Sequence, residues 1–583
     1  MNIGDKPGNL RGKDYCFDSF KNGEVLLGKK KNILPTMGWN SWNAFGSGNT
    51  EKLTKEIADK LVELGLDKLG YKYIVLDDGC YKSVRIDDKI TNEEDKFPSG
   101  FKSLAKYIHD KDLKFGMYND IGTNLCAGAN VGTCGYEEID AKSYVEWDID
   151  FIKVDNCYYP WDNATFSDAK NARFVFAPNV KSIEINGKKY DAENDGRIIG
   201  NGPEKRGGYV SHIGTFDGTG PIASPTCNVS GELVFDVEAE KEGYFDLFVE
   251  YATDALEGAG SWLQVAVGDE LFYDDLVEET ESPEDFIVSK PISVFLKKGN
   301  NSLRIMNHRR QENTLNSYAT FLEGLNKAKP NHDIILSICE WGKTHPQDWG
   351  YKVGDSWRIL NDITFRVGSE NDPGHGDWYS EYTTSITSQY NKAVIMDEYA
   401  GLSKGWNDPD MLMIGMNGLD MTMCKTHMSM WCMMNSPLML GLDLRKVNKD
   451  DEVYSIISNK ELISFNQDKL GIQAKRVYCS LAKEDPSKEY VRDINRVDIL
   501  VKPLCDKGFA ISYINVSDET KEGSYFVDVD TIEKYFPEYK FSASEYKVTD
   551  VWSKEESKNT SGKFSVSKLL PHESITIKVT LNE

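Results

Sequence analysis

The sequence predicts an α/β protein: a (β/α)8 TIM barrel with an all-β sandwich domain inserted after strand 4 and a C-terminal antiparallel β-sandwich domain. Two observations predict the barrel: short apolar strands alternate with amphipathic helices, and polar side chains recur where these strands end. A third observation predicts the sandwiches, because two long stretches alternate apolar and polar residues between Gly and Asn turns.

The first half of the barrel, residues 34–173, follows a polar lead-in at residues 1–33. Its predicted strands are Pro35–Trp42, Tyr73–Asp78, Lys114–Tyr118 and Phe151–Asp155, and its predicted helices are Thr50–Leu66, Phe101–Lys111 and Asp140–Trp147. This spacing is typical of βαβ units, which form parallel sheets with helices outside.

The β/α alternation stops after Cys157 and resumes near Tyr318. Residues 174–313 between them carry strand patterns such as ELVFDVEA and SLRIMNH, which predict the inserted sandwich. We expect its aromatic residues Trp262, Tyr209 and Tyr273 to be core residues rather than sugar platforms.

The second half of the barrel is predicted at residues 314–472, and the C-terminal sandwich at 473–583. The predicted strands are Ile334–Ile338, Ser356–Ile363, Asn407–Met411 and Pro437–Leu442, and the helices are Tyr318–Ala328, Thr422–Met434 and Leu462–Leu470. The methionines of Thr422–Met434 are expected to fill the core, since Met packs into irregular gaps.

Charge and composition exclude several partners. The net charge of -25 over 583 residues disfavours nucleic acid, and no apolar run is long enough to cross a bilayer.

Residues Met1–Asp14 show no secretory signal, so a cytoplasmic location is expected unless a signal has been removed. The 11 scattered cysteines do not indicate a zinc site, and the pattern gives no oligomeric state.

The strand ends of a barrel surround one mouth, so their polar residues are candidates for chemistry. They form a ring of carboxylates and aromatics with two cations: Trp42, Asp77, Asp78, Tyr118, Lys153, Asp155, Glu340, Trp341, Arg358, Asp362, Asp408 and Asp410. An isolated Asp at a strand end usually caps a turn. Paired carboxylates with aromatic walls, and with no metal-ligand spacing or phosphate loop, instead indicate glycoside hydrolysis without a required cofactor.

Seven stretches make the chain resemble the α-galactosidases of glycoside hydrolase family 27, which belongs to a clan of retaining barrel enzymes. They are GWNSWN (38–43), LDDG (76–79), FPSGFKSLAKYIHDKDLKFGMYNDIG (97–122), DFIKVDNC (150–157), CEWG (339–342), WNDPDMLMIGMNGL (406–419) and SPLMLGLDLR (436–445). The insertion faintly resembles carbohydrate-binding modules through YDAEN (190–194) and KKGNNSLRI (297–305), which makes Glu193 a candidate ligand for a structural calcium ion.

The resemblance implies a role for each matching residue. Asp155 matches the nucleophile, Lys153 its neighbouring cation, and Asp362 the acid/base. Asp77 and Asp78 match the pair that accepts the sugar's 4- and 6-hydroxyls, and Trp42 matches the platform below the ring. Tyr118, Arg358 and Asp410 match further pocket residues, and Cys126 and Cys157 match a disulfide that could remain reduced in a cytoplasm.

Specificity is implied by two positions. The bulky set Cys339, Glu340 and Trp341 matches residues beside the sugar's 2-position, which favours galactose over N-acetylgalactosamine. Cys80 stands where the family usually has Trp, which leaves β-L-arabinopyranose open as a substrate.

The expected function is therefore a retaining exo-α-galactosidase acting on oligosaccharides or glycans. The alternatives are β-L-arabinopyranosidase or α-N-acetylgalactosaminidase activity, or a carbohydrate-binding protein without catalysis.

Overall fold

The computed structural model describes residues 33–158, 177–199, 203–214, 231–253, 261–307 and 309–582. The first half of the barrel contains strands β1 (Met37–Asn40), β2 (Tyr73–Val75), β3 (Lys114–Asp120) and β4 (Phe151–Asp155), with helices α1 (Ser41–Phe45), α2 (Glu51–Leu64), α3 (Phe101–His109) and α4 (Glu137–Glu146). The four strands pair in parallel in chain order. Position 38 needs glycine, because a Cβ there would collide with the carbonyl oxygen of Tyr73.

Helix α2 shows how local sequence defines an element. The Thr50 side chain accepts a hydrogen bond from the Leu53 N–H at its start, and Gly65 adopts a φ of 75° just past its end. Leu53, Ile57 and Leu61, spaced by four residues, are buried. The helix therefore packs one apolar face into the barrel core.

The inserted domain is a β-sandwich. Its strands are β5 (Asn179–Ile185), β6 (Lys188–Asp191), β7 (Arg197–Ile199), β8 (Glu204–Lys205), β9 (Val210–Ser211), β10 (Glu232–Ala239), β11 (Gly243–Ala252), β12 (Trp262–Val267), β13 (Glu270–Leu276), β14 (Ile287–Val288), β15 (Ile292–Leu296) and β16 (Gly299–Met306). One sheet has the order β13-β12-β16-β10-β7, and the other is built around β14-β11-β5-β9-β8 with β15 and β6 at its side. Their inner residues form one apolar core.

Of the aromatic residues singled out in the insertion, Trp262 is buried, whereas Tyr209 and Tyr273 are half-buried. Trp262 is buried against the barrel's core cluster, and its indole N–H donates to Asp274. Tyr273 packs against the sandwich core, and Tyr209 contacts Phe286. Trp262 is therefore not available as a sugar platform.

The barrel resumes with α5 (Arg309–Ala328), β17 (Ile335–Cys339), β18 (Ser356–Arg358), α6 (Ile386–Ala393), β19 (Trp406–Asp408), α7 (Met421–Met433) and β20 (Leu438–Leu440). Strand β17 pairs in parallel with β4, which places Cys339 opposite Asp155 across the inserted domain. The ring closes because β20 pairs with β1 and Leu412 bridges to Leu440.

The remaining elements are α8 (Glu452–Ile457), α9 (Lys460–Asn466), β21 (Lys475–Cys479), β22 (Val497–Pro503), β23 (Phe509–Asn515), β24 (Lys521–Asp528), α10 (Val529–Tyr535), β25 (Glu545–Asp550), β26 (Glu556–Asn559), β27 (Lys563–Leu569) and β28 (Ser574–Asn582). Helices α8 and α9 pack against α7 in the barrel core, whereas the strands β21 to β28 and α10 form a C-terminal antiparallel sandwich of a six-stranded and a two-stranded sheet. Its interface with the barrel contains a buried polar network, in which Tyr390 donates to Asp498 and Arg496 contacts both Asp498 and Asn391.

The predicted fold class is confirmed, and the differences are local. The sixth barrel strand ends at Arg358 rather than Ile363, so Asp362 lies on the loop after it. The methionines of α7 are core residues, with Met428, Met430 and Met433 fully buried. The described residues exclude 1–32 of the predicted lead-in, 159–173 of the predicted first barrel half, and 174–176, 200–202, 215–230, 254–260 and 308 of the predicted insertion. Among the helices described, none has the length and apolarity needed to cross a membrane.

Candidate active site

A cavity of about 250 Å³ opens at the C-terminal ends of the barrel strands. This is the end at which a (β/α)8 barrel gathers side chains from several strands. Acidic, aromatic and backbone groups line it together: Trp42, Asp77, Asp78, Tyr118, Cys126, Ala127, Lys153, Asp155, Trp341, Asp362, Phe365 and Val367. The volume suits one sugar ring rather than a chain of rings.

Asp155 ends β4 and lies in the wall of the cavity, only 5% exposed. The Tyr118 hydroxyl donates to its Oδ2 across 3.1 Å, and the Asn156 N–H donates to its Oδ1 across 2.8 Å. Burial raises the pKa of Asp155, while the Lys153 ammonium and the Asn156 N–H oppose the rise. The carboxylate is thus oriented by two donors and stabilised in its charged form by a neighbouring cation.

Lys153 connects this carboxylate to Asp77. Its ammonium lies 2.8 Å from Asp77 Oδ2, and the same oxygen accepts a hydrogen bond from the Asn40 side chain. The Asp77 backbone N–H donates to the Ser41 hydroxyl. These contacts hold the Asp77 side chain in place as an acceptor at one side of the cavity.

Asp78 presents an acceptor with no protein partner. Its Oδ2 accepts the Ala127 N–H across 2.7 Å, whereas its buried Oδ1 has no hydrogen-bond partner among the described residues. Burial raises the pKa of Asp78 to about 7. A buried, unsatisfied carboxyl oxygen in a cavity indicates a polar ligand group that completes it.

Asp362 has a different environment from Asp155. It lies on the loop after β18, and its side chain is 22% exposed. Arg358 Nη1 is 3.1 Å from Asp362 Oδ1, and Arg358 Nη2 is 2.8 Å from Asp410 Oδ2. Burial raises the pKa of Asp362 to about 6, although Arg358 opposes the rise. A carboxyl group with this pKa can hold a proton in weakly acidic solution and release it.

Two aromatic side chains and Tyr118 shape the cavity. Trp42 lies directly after β1, where its N–H donates to the Asn40 side chain, and Trp341 lies after β17 with a left-handed φ of 63°. Trp341 is buried and packs with Cys157 and Cys339. These rings supply the apolar faces that a sugar ring requires.

Four predicted substrate-binding residues do not line the cavity: Cys339, Glu340, Arg358 and Asp410. Glu340 is turned into the protein, where its carboxylate accepts from the N–H and hydroxyl of Thr344. Cys339 is buried and contacts the Arg358 guanidinium. Arg358 and Asp410 instead brace the loop of Asp362, since Asp410 Oδ2 also accepts the Ile363 N–H. Direct substrate contacts by these four residues stay a prediction.

Cys126 and Cys157 form a disulfide beside the cavity. Asp120 lies next to it and was missed from the sequence, although its register places it opposite Asp155 in the sheet. Asp120 accepts the N–H groups of Gly122 and Cys157, and so ties the disulfide to two strand ends. The two sulfurs and the carboxylates of Asp120 and Asp155 lie within 4.8 Å of one another, but sulfurs bonded to each other are not thiolate ligands.

The other residues missed are Asn40, Ala127, Phe365 and Val367. Asn40 lies inside the GWNSWN stretch, so its position was available as a signal. Ala127 acts through its backbone, which a side-chain pattern does not report. In the insertion, Glu193 accepts the Gly207 N–H, and its carbonyl oxygen contacts the Lys205 ammonium. Calcium binding by Glu193 stays a prediction.

Comparison with known proteins places this site in a family. The profile described as alpha galactosidase A matches residues 34–175 and 302–468, and that of the alpha galactosidase C-terminal beta sandwich domain matches 495–579. Alpha-galactosidase of Cyamopsis tetragonoloba is 27% identical over 485 residues, covering 83% of this chain and 73% of that protein. Alpha-galactosidase A of Cellvibrio japonicus is 26% identical over 531 residues, covering 89% and 86%.

A solved structure shares the fold. Alpha-galactosidase from Saccharomyces cerevisiae, determined with raffinose, superposes with a TM-score of 0.59 at 20% identity and covers 96% of this chain and 100% of that chain. The profile matches span both halves of the barrel, the C-terminal sandwich and each carboxylate of the cavity. This chain belongs to the alpha-galactosidase family, glycoside hydrolase family 27.

Proposed function

We propose that this protein is a retaining, exo-acting α-galactosidase, which removes terminal α-linked galactose from oligosaccharides or glycans. One observation carries the proposal: a single cavity holds two carboxyl groups in contrasting environments, Asp155 and Asp362. Glycoside hydrolysis with retention needs this division, one carboxylate to attack and one acid to protonate.

In the first step Asp155 attacks the anomeric carbon while Asp362 protonates the departing oxygen. Tyr118 and the Asn156 N–H hold the attacking carboxylate in place, which lowers the entropic cost of reaching the reactive geometry. The bond to the leaving oxygen breaks as the bond to Asp155 forms, which gives a glycosyl-enzyme and a free alcohol.

In the second step Asp362, now deprotonated, takes a proton from water. The water attacks the anomeric carbon and releases Asp155. Two inversions give a product with the configuration of the substrate. Arg358 favours the deprotonated form of Asp362 that this step requires, and burial favours the protonated form that begins the cycle.

The floor of the cavity suits a galactose ring. Asp77 and the unsatisfied Oδ1 of Asp78 are acceptors for the 4- and 6-hydroxyls, and Trp42 faces the apolar side of the ring. A cavity of about 250 Å³ holds one such ring, which makes the enzyme exo-acting.

Trp341 is proposed to set the preference at the 2-position. It lines the cavity, and we expect its bulk to leave room for a hydroxyl but not for an acetamido group. Cys80 is buried and does not line the cavity, so it makes no direct contact with the 6-position. Trp341 thus favours galactose over N-acetylgalactosamine, and the free Asp78 oxygen, which a 6-hydroxyl would meet and arabinopyranose lacks, favours galactose over arabinopyranose.

Initial rates on the nitrophenyl glycosides of α-galactose, β-L-arabinopyranose and α-N-acetylgalactosamine test the proposal. We expect the highest kcat/KM on the galactoside. Faster hydrolysis of the N-acetyl substrate would refute the role of Trp341. The alternative of a binding protein without catalysis predicts no turnover by the wild type on any of the three.

A further inference from the structure

Phe365 is an exposed aromatic residue at the mouth of the cavity. Its side chain lines the cavity beside Asp362, yet 52% of the residue is exposed to solvent. Large apolar side chains are usually buried on folding, because exposure forfeits the free energy gained by removing them from water. A half-exposed ring that borders a cavity therefore offers an apolar surface to whatever enters.

The backbone around Phe365 is held on both sides. Before it, the Ile363 N–H donates to Asp410 across 2.8 Å, and the Thr364 hydroxyl donates to the His375 carbonyl across 2.6 Å. After it, the Arg366 carbonyl accepts the His375 N–H across 2.9 Å. These bonds place the ring before a ligand arrives, which reduces the entropic cost of binding.

The same segment is attached to helix α1, which carries Trp42. The Gly368 N–H donates to the Asn43 carbonyl across 2.8 Å, and Val367 lines the cavity next to Phe365. The loop after β18 thus meets helix α1 beside the cavity. Phe365 lies on this rim, whereas Asp77 and Asp78 lie with the residues of the floor.

The position of Asp362 indicates which part of a substrate contacts the Phe365 side chain. The acid must reach the oxygen between galactose and the leaving group, and Phe365 follows it by three residues on the same held loop. With galactose on the floor, the next sugar ring passes the rim. We propose that Phe365 is the platform for the first leaving-group sugar, whose C–H face stacks on the aromatic ring of Phe365. This inference rests on the proposed function.

Substrates with and without a leaving-group ring test the platform. α-Galactosyl fluoride has no ring beyond galactose, whereas melibiose and raffinose have a glucose unit there. For Phe365→Ala we expect kcat/KM on the two oligosaccharides to fall about tenfold, the effect expected from the loss of one aromatic contact. On the fluoride, kcat/KM should stay within about twofold of the wild-type value. Phe365→Trp should retain oligosaccharide activity.

Tyr382→Ala is the matched control, because Tyr382 is 84% exposed, lies on the same long loop and does not line the cavity. It should leave both kinds of substrate unaffected. Equal losses on fluoride and oligosaccharides in Phe365→Ala, or no loss on either, would overturn the platform. Failure of the proposed function is a separate result, since the wild type would then not hydrolyse the fluoride or the oligosaccharides.

Discussion

The pH dependence of a Lys153→Met variant is a detailed test of how the site controls its two carboxyl groups. Lys153 and Asp155 are two residues apart on β4, so their side chains extend from one face of the strand, from Cα atoms about 7 Å apart. With an effective dielectric constant of about 20, two unit charges at that distance attract by about 2.4 kcal/mol. The Lys153 ammonium therefore holds the pKa of Asp155 below the value that burial alone would give it.

The sign follows from removing a positive charge beside a carboxylate. The pKa of Asp155 rises further, so a higher pH is needed to ionise it, and the acidic limb of kcat/KM moves to higher pH. Lys153 has a smaller influence on the pKa of Asp362, where Arg358 is the main opposing charge, so the basic limb near pH 6 moves less. The pH profile should become narrower and its maximum lower.

The measurement is kcat/KM on nitrophenyl α-galactoside from about pH 3 to 8, with thermal unfolding to confirm that the variant folds. Lys153→Arg keeps the charge and should keep the acidic limb near its wild-type position. KM should also rise in Lys153→Met, because Asp77 loses a 2.8 Å contact. An acidic limb unchanged in Lys153→Met would refute the proposed coupling.

Three further predictions concern the acid, the disulfide and the C-terminal interface. Asp362→Asn should lower kcat on raffinose by about 10² to 10⁴-fold. The loss should be much smaller on an activated aryl galactoside, because its leaving group departs without a proton. Initial rates on the two substrates measure this difference. Cys126→Ser should lower the free energy of unfolding by about 3 to 4 kcal/mol in a denaturant titration, and it should raise KM because the Ala127 N–H no longer holds Asp78 as firmly. Asp498→Asn should lower the free energy of unfolding by about 3 kcal/mol or more at pH 7, since Arg496 loses its buried charged partner. The folded-state pKa of Asp498 is lowered, so this difference should shrink as the pH falls below about 4, and equal stabilities at pH 7 would contradict the assignment.

The sequence was sufficient to predict the barrel because each strand is a short apolar run followed by an amphipathic helix. Phe151–Asp155 was predicted with the bounds that the structure has. The sixth strand was not, since Ile359 and Leu360 continue the apolar pattern although the chain leaves the sheet after Arg358. Apolar residues buried in a loop and in a strand look alike in a sequence.

The direction of side chains was harder to predict than their position. Glu340 lies at a strand end, as expected, but the turn to Thr344 supplies two donors and draws its carboxylate inward. Phe365 was missed for the opposite reason: an apolar residue after a strand predicts burial, and only the held loop shows that its ring borders the cavity. The orientations of the Glu340 and Phe365 side chains both depend on tertiary contacts, which local sequence patterns do not encode.

Trapping the glycosyl-enzyme tests the central claim most directly. A fluorinated galactosyl fluoride that slows the second step should label the wild-type protein once, and peptide mapping should locate the sugar on Asp155 in the stretch Phe151–Cys157. Asp155→Ala should show no label and a loss of turnover of several orders of magnitude. A label on any other residue, or full activity in Asp155→Ala, would contradict the account.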